Sequence, residues 1–382
     1  MSVSVSGASG LDVPVQHATR LLFLIAGFAT GAWAALVPAA KERTGLDEGG
    51  LGLVLLCLGI GSLMAMPASG ALSTRYGCRA VLTVTGILLC LCLPALALAS
   101  SSWVLGVMLF VMGAMMGVFD CVMNIQAVIV ERGADRPLMS GFHGFYSLGG
   151  IAGAAGASAV MVAGLSPLGS MLLAAGMMLL MLVTAHRYVL TYGNPAEGPP
   201  FALPRGAVLL LGMLCFICFL TEGSMLDWSG VLLRDYHGMS TAQTGFGFAA
   251  FSLTMTAARL TGDRMTARIG RRRILVIGAL LAAGGILITS WVPIWQMALL
   301  GYALVGLGCA NIVPVLFTAV GRQTSMPQRV AVPAMSTLGY AGVLAGPAGI
   351  GFVAHYSSLR MAFLLVAVMM IGVAISGCRL KV

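Results

Sequence analysis

Long apolar runs alternate with short polar breaks along the whole chain, and the breaks coincide with Pro, Gly, Ser or charged residues. A helix that crosses a bilayer needs about 20 mainly apolar residues. The pattern therefore predicts an all-α membrane protein with twelve spans, at residues 20–40, 50–72, 80–99, 103–130, 138–163, 167–186, 206–233, 242–263, 274–293, 295–320, 330–355 and 360–378.

The longest connection between spans divides the chain into two sets of six. It covers residues 188–204, is rich in Pro and Gly, and is predicted to be a cytoplasmic linker. The predicted domains are two six-helix bundles, at 20–187 and 205–382. Residues 1–19 are Ser- and Gly-rich and lack the basic start and cleavage site of a signal peptide, so we expect a disordered cytoplasmic tail.

Composition supports a membrane protein and argues against a soluble one. Hydrophobic residues make up 59% of the 382 positions and charged residues only 9%, whereas soluble domains carry about 25% charged residues. The net charge of +9 lies in short loops rather than on one basic face, which favours an anionic membrane leaflet over nucleic acid as the partner. The cysteines form no metal or disulfide pattern and are expected to pack as small apolar residues.

The distribution of Lys and Arg predicts that both termini are cytoplasmic. The side that holds the N-terminus carries Arg20, Arg75, Arg79, Arg132, Arg136, Arg187, Arg205, Arg264, Arg268, Arg271, Arg272, Arg273, Arg322, Arg329, Arg379 and Lys381. The opposite side carries Lys41, Arg43, Arg234 and Arg360, and Arg259 falls inside a span. Cytoplasmic loops are the ones enriched in basic residues.

The two halves resemble each other at an offset of 193 residues, the separation of Gly77 from Gly270. The basic loop around Arg79 aligns with the loop around Arg272, and Gly149 aligns with Gly342. Six spans per half make this a parallel repeat, which places a ligand site between the halves near the bilayer midplane.

The loops after spans 2 and 8 carry a recognisable motif. The first runs from Gly70 to Arg79 and the second from Gly262 to Arg273, and both resemble the cytoplasmic loop signature of the major facilitator superfamily of transporters. Thr74 and Ala267 stand where that signature usually has Asp. The resemblance implies a gating role for Arg75, Arg79 and Arg268. Arg259 and Asp263 are assigned to the same gate because they lie one helical turn apart near the cytoplasmic end of span 8.

Three further runs are similar to the YbjJ-type inner-membrane permeases of that superfamily, which are distant relatives of the fucose permease. They are residues 117–124, 142–149 and 222–228. The similarity spans essentially the whole chain. It implies transport by alternating access, in which a site between two six-helix bundles opens first to one side of the membrane and then to the other.

Asp120 is the clearest candidate for chemistry, because an ionisable group within a span is expensive and usually functional. The resemblance implies that it occupies the position of the proton-carrying acid of helix 4. Asn124 lies one turn further on the same face, and Gly113 and Gly117 continue that stripe, leaving room for a cavity or a close helix approach. A permanently paired structural acid is the alternative.

Two comparisons refine this prediction. The acid that fucose-type permeases carry in helix 1 is missing, because Ala34 stands at that position. The run Gly308–Asn311 aligns with Gly117–Asp120, which would place Asn311 opposite Asp120, where the amide either binds ligand or packs a helix contact.

Span 7 supplies a second buried acid, Glu222, which we expect to bind a proton or solute together with Asp120. Asp227 and Trp228 lie nearer the outer side, where Trp either stacks on a ligand or only anchors the helix. Trp33 of span 1 similarly either lines the cavity or packs against lipid.

His143 and Tyr146 lie in span 5 beside a glycine-rich segment. His143 could relay protons, although an ordinary helix contact is the simpler interpretation. Arg259 and Asp263, four residues apart in span 8, are predicted to form a local ion pair.

These observations predict a monomeric secondary transporter for a small polar solute, sugar-like or another small metabolite, in the inner membrane. A proton gradient is the expected energy source, with no cofactor and no metal. An exporter of the same fold is one alternative, weakened because span 5 lacks a Gly-Pro pair and Gly346-Pro347 lies in span 11. A transport-inactive sensor is another alternative. The sequence shows no nucleophile–base pair, so it does not indicate an enzyme.

Overall fold

The computed structural model describes residues 13–134, 136–194, 199, 201–240 and 243–380, and every regular element in these ranges is a helix. The helices of the first half are α1 (Val13–Thr44), α2 (Glu48–Ala65), α3 (Ser69–Leu98), α4 (Ser102–Ala134), α5 (Met139–Val162) and α6 (Pro167–His186). Those of the second half are α7 (Gly206–His237), α8 (Gly245–Ile269), α9 (Arg271–Trp291), α10 (Trp295–Cys309), α11 (Ile312–Arg322), α12 (Gln328–Tyr356) and α13 (Leu359–Arg379).

All twelve predicted spans have a helical counterpart. Helices α2 and α3 are joined by a 3-10 turn, Met66–Ala68, into a run that ends at Leu98. At 1.5 Å per residue, that run of 49 residues measures about 74 Å, enough for two bilayer crossings. It divides at Gly77, whose φ of 78° and ψ of 159° are not helical.

Two features differ from the prediction. Helix α1 begins at Val13, so part of the predicted tail is helical, and only residues 1–12 of it lie outside the described residues. Span 10 is interrupted between α10 and α11. Pro314 lies in the first turn of α11, where proline is tolerated, and it was the sequence signal for this break.

Large apolar side chains cover the outside of the described helices. Leu53, Leu91, Leu180 and Leu253 are each at least 60% exposed. Trp103 lies at a helix end and is 78% exposed, as expected of an aromatic anchor at the membrane interface. Among the described residues, nine helical runs are long and apolar enough to cross a membrane, or ten if the bent α12 is counted.

The chain forms two compact units, whose limits differ slightly from the predicted domains. Unit 1 comprises residues 1–138, 145–202 and 327–333, and unit 2 comprises 139–144, 203–326 and 334–382. The start of α5 therefore groups with the second unit and the start of α12 with the first. Residues 188–202 of the predicted linker belong to unit 1, and residues 203–204 belong to unit 2.

In unit 1, glycines let helices approach to backbone contact. A Cβ on Gly113 of α4 would meet the Leu58 carbonyl of α2, and one on Gly27 of α1 would meet the Tyr146 carbonyl of α5. The Ser62 hydroxyl donates to the Gly113 carbonyl at 2.7 Å. Lipid tails are as apolar as the helix surfaces, so the hydrophobic effect does not drive helices together in a membrane. Close packing does, and small residues such as glycine allow it.

Unit 2 repeats these contacts at equivalent positions. A Cβ on Gly306 of α10 would meet the Phe251 carbonyl of α8, and Gly306 and Phe251 correspond to Gly113 and Leu58 at the predicted offset. Gly270 has φ 88° and ψ 147°, close to the values at Gly77. The backbone therefore supports the internal repeat more strongly than the sequence match did.

Candidate functional site

Asp120 is half-buried in α4 of unit 1. Its neighbour Asn124 is only 1% exposed, and the Asn124 Nδ2 donates to the Asp120 backbone carbonyl at 2.9 Å. The Asn124 Oδ1 is buried without a hydrogen-bond partner among the described residues. The stripe formed by Gly113 and Gly117 is a contact with α2 rather than a cavity wall.

Trp33 and Tyr146 also belong to unit 1. Trp33 is 5% exposed on α1, so its ring is packed inside the bundle. The Tyr146 hydroxyl lies 3.4 Å from the Thr30 hydroxyl, which links α5 to α1. Both positions are consistent with helix packing, and a role in ligand binding stays a prediction.

A buried ion pair joins α7 to α8 in unit 2. The Arg259 Nη2 lies 3.1 Å from the Glu222 Oε1 and 3.3 Å from the Oε2. The side chains are 7% and 19% exposed, respectively. Removing either partner of such a pair would leave an uncompensated charge inside the bundle.

The break between α10 and α11 lies against this pair. The Arg259 Nε donates to the Ala310 carbonyl at 3.2 Å. The Asn311 Nδ2 donates to the Ala258 carbonyl at 3.3 Å, and its Oδ1 lies against Gly262. Asn311 thus connects α8 to the interrupted span, as a packing amide does.

The predicted match of Asn311 with Asp120 is wrong in register. It requires an offset two residues shorter than the one that superimposes the Gly113 and Gly306 contacts. At the structural offset, Asn311 corresponds to Val118. Short glycine matches misled the alignment because the chain has 51 glycines.

Asp227 and Trp228 lie one to two turns beyond Glu222. Asp227 is exposed, whereas Trp228 is half-buried with its ring edge against Gly351 of α12. This contact explains the position of Trp228 by packing, and a stacking role toward a ligand stays a prediction.

His143 belongs to the α5 segment that groups with unit 2. Its ring centroid lies 5.6 Å from that of Phe317. The structure pairs Arg259 with Glu222 of another helix, and the predicted local pair with Asp263 stays a prediction. Asp263 Oδ2 accepts the backbone N–H of Gly141 at 3.0 Å.

Arg79 anchors the segment that follows α6, although the sequence predicted a gating role. Its Nε and Nη2 donate to the carbonyls of Val189 and Arg187, at 2.9 and 2.7 Å. Arg75 is exposed and lies over the Tyr76 ring, and Arg268 is exposed near the end of α8. A gating role for these residues stays a prediction.

Two buried polar residues of α4 escaped the sequence analysis. Gln126 is fully buried, donates to the Thr19 hydroxyl at 3.0 Å and accepts the Leu190 N–H at 3.2 Å. Glu131 is 4% exposed and accepts the Leu138 N–H at 2.8 Å, before α5 begins. Both hold backbone in place. Their only sequence signal was polarity next to the basic loop.

One pocket lies away from all predicted site residues. It is an open cleft of about 500 Å³ in unit 1, beside Glu42, Arg43 and Ser166. Arg43 is already committed to the carbonyls of Leu96 and Ala99, both at 2.8 Å. The arginine beside the pocket therefore holds the end of α3 in place. Within the described ranges, His, Cys, Asp and Glu side chains form no cluster of three suited to a metal ion.

Comparison with known proteins shows which family has this arrangement of helices. The sequence profile of the Major Facilitator Superfamily matches residues 21–226 and 212–380. The chain belongs to the Major Facilitator Superfamily. It is 50% identical over 363 residues to an uncharacterized MFS-type transporter of Yersinia pestis, covering 95% of this chain and 94% of that one.

Solved structures of the superfamily share the fold. The chain is similar to the human organic anion transporter MFSD10, with a TM-score of 0.79 and 16% identity over 95% of this chain and 99% of that one. It is similar to a variant of the E. coli fucose:proton symporter FucP, with a TM-score of 0.78 and 15% identity over 97% and 98%. At these identities the likeness shows the fold alone.

Superfamily membership makes this chain a multi-pass membrane protein of a family of transporters, with small molecules as substrates and a lipid bilayer as its surroundings. It also confirms the predicted all-α fold of two six-helix bundles.

Proposed function

We propose that this superfamily member is a proton-coupled secondary active transporter that moves a small polar solute, sugar-like or another small metabolite, across the inner membrane by alternating access. The observation that carries the proposal is the Glu222–Arg259 ion pair, which lies inside the helices of unit 2. Asp120 supplies a second carboxyl group, in α4 of unit 1.

Carboxyl groups in the hydrocarbon region suit proton coupling for a simple physical reason. Protonation removes the charge of Asp120, and with it much of the cost of enclosing that side chain away from water. Protonation of Glu222 instead leaves Arg259 without its counter-charge. A carboxyl group that gains and loses a proton therefore changes the relative free energies of two conformations. A transporter needs such a change to link proton flow to solute movement.

The proposed orientation follows the positive-inside rule, with both termini in the cytoplasm. The proton gradient is the proposed energy source, and we propose no cofactor and a monomeric unit. The same fold and acids would also serve a proton antiporter that exports a drug or metabolite.

Reconstitution tests the proposal directly. The purified chain is placed in liposomes that contain a pH-sensitive dye, a proton gradient is imposed, and sugars, polyols, organic acids and amino acids are added one at a time. A symporter acidifies the lumen when its solute enters, an antiporter alkalinises the lumen, and a sensor gives no solute-dependent proton flux with any compound. The first two results support a proton-coupled transporter and distinguish a symporter from an antiporter, and the third overturns the proposal.

A further inference from the structure

The guanidinium of Arg259 is a permanent positive charge within unit 2. Its side chain is 7% exposed, and an arginine side chain does not release its proton in proteins. A charge in such surroundings needs a counter-charge at every stage of the transport cycle. In the structure, Glu222 provides it.

The geometry of the pair suits an exchangeable partner. Both carboxylate oxygens of Glu222 contact the same nitrogen, Nη2, at 3.1 and 3.3 Å. A bidentate fork would use two nitrogens, with distances of about 2.7–2.9 Å. Glu222 is also the more exposed partner, at 19% against 7%. Its carboxylate is therefore the partner that can be replaced.

The other groups around Arg259 are poorly suited to this role. Arg259 contacts a backbone carbonyl, that of Ala310, through its Nε at 3.2 Å, and a carbonyl carries no net charge. Asp263 lies one turn along α8, with its Oδ2 at the Gly141 N–H. Glu222 supplies a carboxylate in ion-pair contact with Arg259, with its Oε1 3.1 Å from the Nη2.

We propose that the transported solute carries a carboxylate, which takes the place of Glu222 beside Arg259 when Glu222 binds a proton. The exchange keeps one negative charge beside the guanidinium throughout. A single charge matches a carboxylate, whereas a phosphate monoester brings more than one at neutral pH. This inference rests on the proposed transport function and specifies its substrate class.

A binding experiment tests the inference without requiring transport. Thermal unfolding of the full-length protein in detergent is followed with monocarboxylates from formate to gluconate and glucuronate, with their neutral amide or alcohol counterparts, and with inorganic phosphate. A ligand of the folded state raises Tm, by about 5 °C at a hundredfold excess over Kd. At least one monocarboxylate should stabilise the wild-type protein, more strongly in acidic than in alkaline buffer.

Glu222→Gln sharpens the test, because it imitates the protonated acid. This variant should bind the same monocarboxylate about tenfold more tightly at neutral pH, and without the dependence on pH. The double variant Glu222→Gln/Arg259→Gln should lose the response, and it keeps the measurement decisive if the single variant does not fold. Asp235→Asn is the control, since it breaks the exposed pair with Arg234 on the same helix.

Three results would overturn the inference: equal shifts with neutral counterparts, a response to phosphate alone, or no monocarboxylate response in the wild type and in Glu222→Gln. The proposed transport function fails separately, if the protein binds a carboxylate but shows no solute-dependent proton flux in liposomes.

Discussion

Arg259 of α8 and Glu222 of α7 lie 37 residues apart in the chain and form an ion pair across two helices, with Nη2 3.1 Å from Oε1. The same arginine donates from its Nε to the Ala310 carbonyl, so the pair lies beside the interruption of span 10. These contacts make Arg259 part of the candidate site, and its predicted gating role stays a prediction.

A double-mutant cycle measures what the pair contributes to stability. Glu222→Gln alone leaves the guanidinium buried without its counter-charge, and Arg259→Gln alone leaves the carboxylate without its partner. Each should destabilise the protein by about 3 kcal/mol. Glu222→Gln/Arg259→Gln removes both charges and should recover most of that loss. Unfolding in detergent at neutral pH, without added carboxylates, provides the measurement. Additive losses in the double variant would show that the two side chains do not interact.

Asp120→Asn tests proton coupling in unit 1. The amide keeps the shape of the carboxyl group but cannot exchange a proton, so solute uptake driven by a proton gradient should fall to the level of empty liposomes. The melting temperature should stay within about 2 °C of wild type, since Asp120 is only half-buried. Asp235→Asn is the exposed control, and full gradient-driven uptake by Asp120→Asn would rule out the coupling role.

The spans and the repeat could be predicted from the sequence, whereas the partners of the buried charges could not. Apolar runs and glycine positions are local signals, and Gly77 and Gly270 adopt similar conformations as the repeat required. The partner of Arg259 depends on how α7 and α8 rotate about their axes. Helices that are apolar on all sides carry no stripe that reports this rotation, so the i+4 neighbour Asp263 was chosen in place of Glu222.

Gly113→Ala tests the close approach of α4 to α2. The added Cβ would meet the Leu58 carbonyl, and backbone cannot move aside as a side chain can. We expect a loss of about 1–3 kcal/mol on unfolding in detergent, the usual cost of overpacking. Gly306→Ala, at the equivalent position in unit 2, should behave similarly.

Gly176→Ala is the matched control for these two variants, because a Cβ there has nothing within 4 Å. It should leave stability unchanged or raise it, as alanine favours helix over glycine. Equal behaviour of Gly113→Ala and Gly176→Ala would contradict the observed packing.

Gly270→Ala separates backbone strain from steric contact. Its φ of 88° disfavours any side chain, yet a Cβ there would meet nothing within 4 Å, so a loss of about 1–3 kcal/mol would report strain alone. Gly77→Ala should cost more, since its Cβ would also meet the Thr191 carbonyl. Comparison of the two variants by thermal unfolding checks this order, and equal losses would argue against the contact with Thr191.

Arg79→Ala tests whether this arginine anchors the segment after α6. Loss of its bonds to the carbonyls of Arg187 and Val189 should raise amide hydrogen exchange across residues 187–194 about tenfold, because each charge-assisted hydrogen bond contributes about 1.5–3 kcal/mol when partly buried and less when exposed. Mass spectrometry of peptides from this segment gives the exchange rates.

Arg75→Ala is the control, since Arg75 is exposed and lies over Tyr76 in the same loop. Equal exchange in the two variants would show that the segment is held by other contacts, such as the Thr74 hydroxyl, which donates to the Asn194 carbonyl at 3.2 Å.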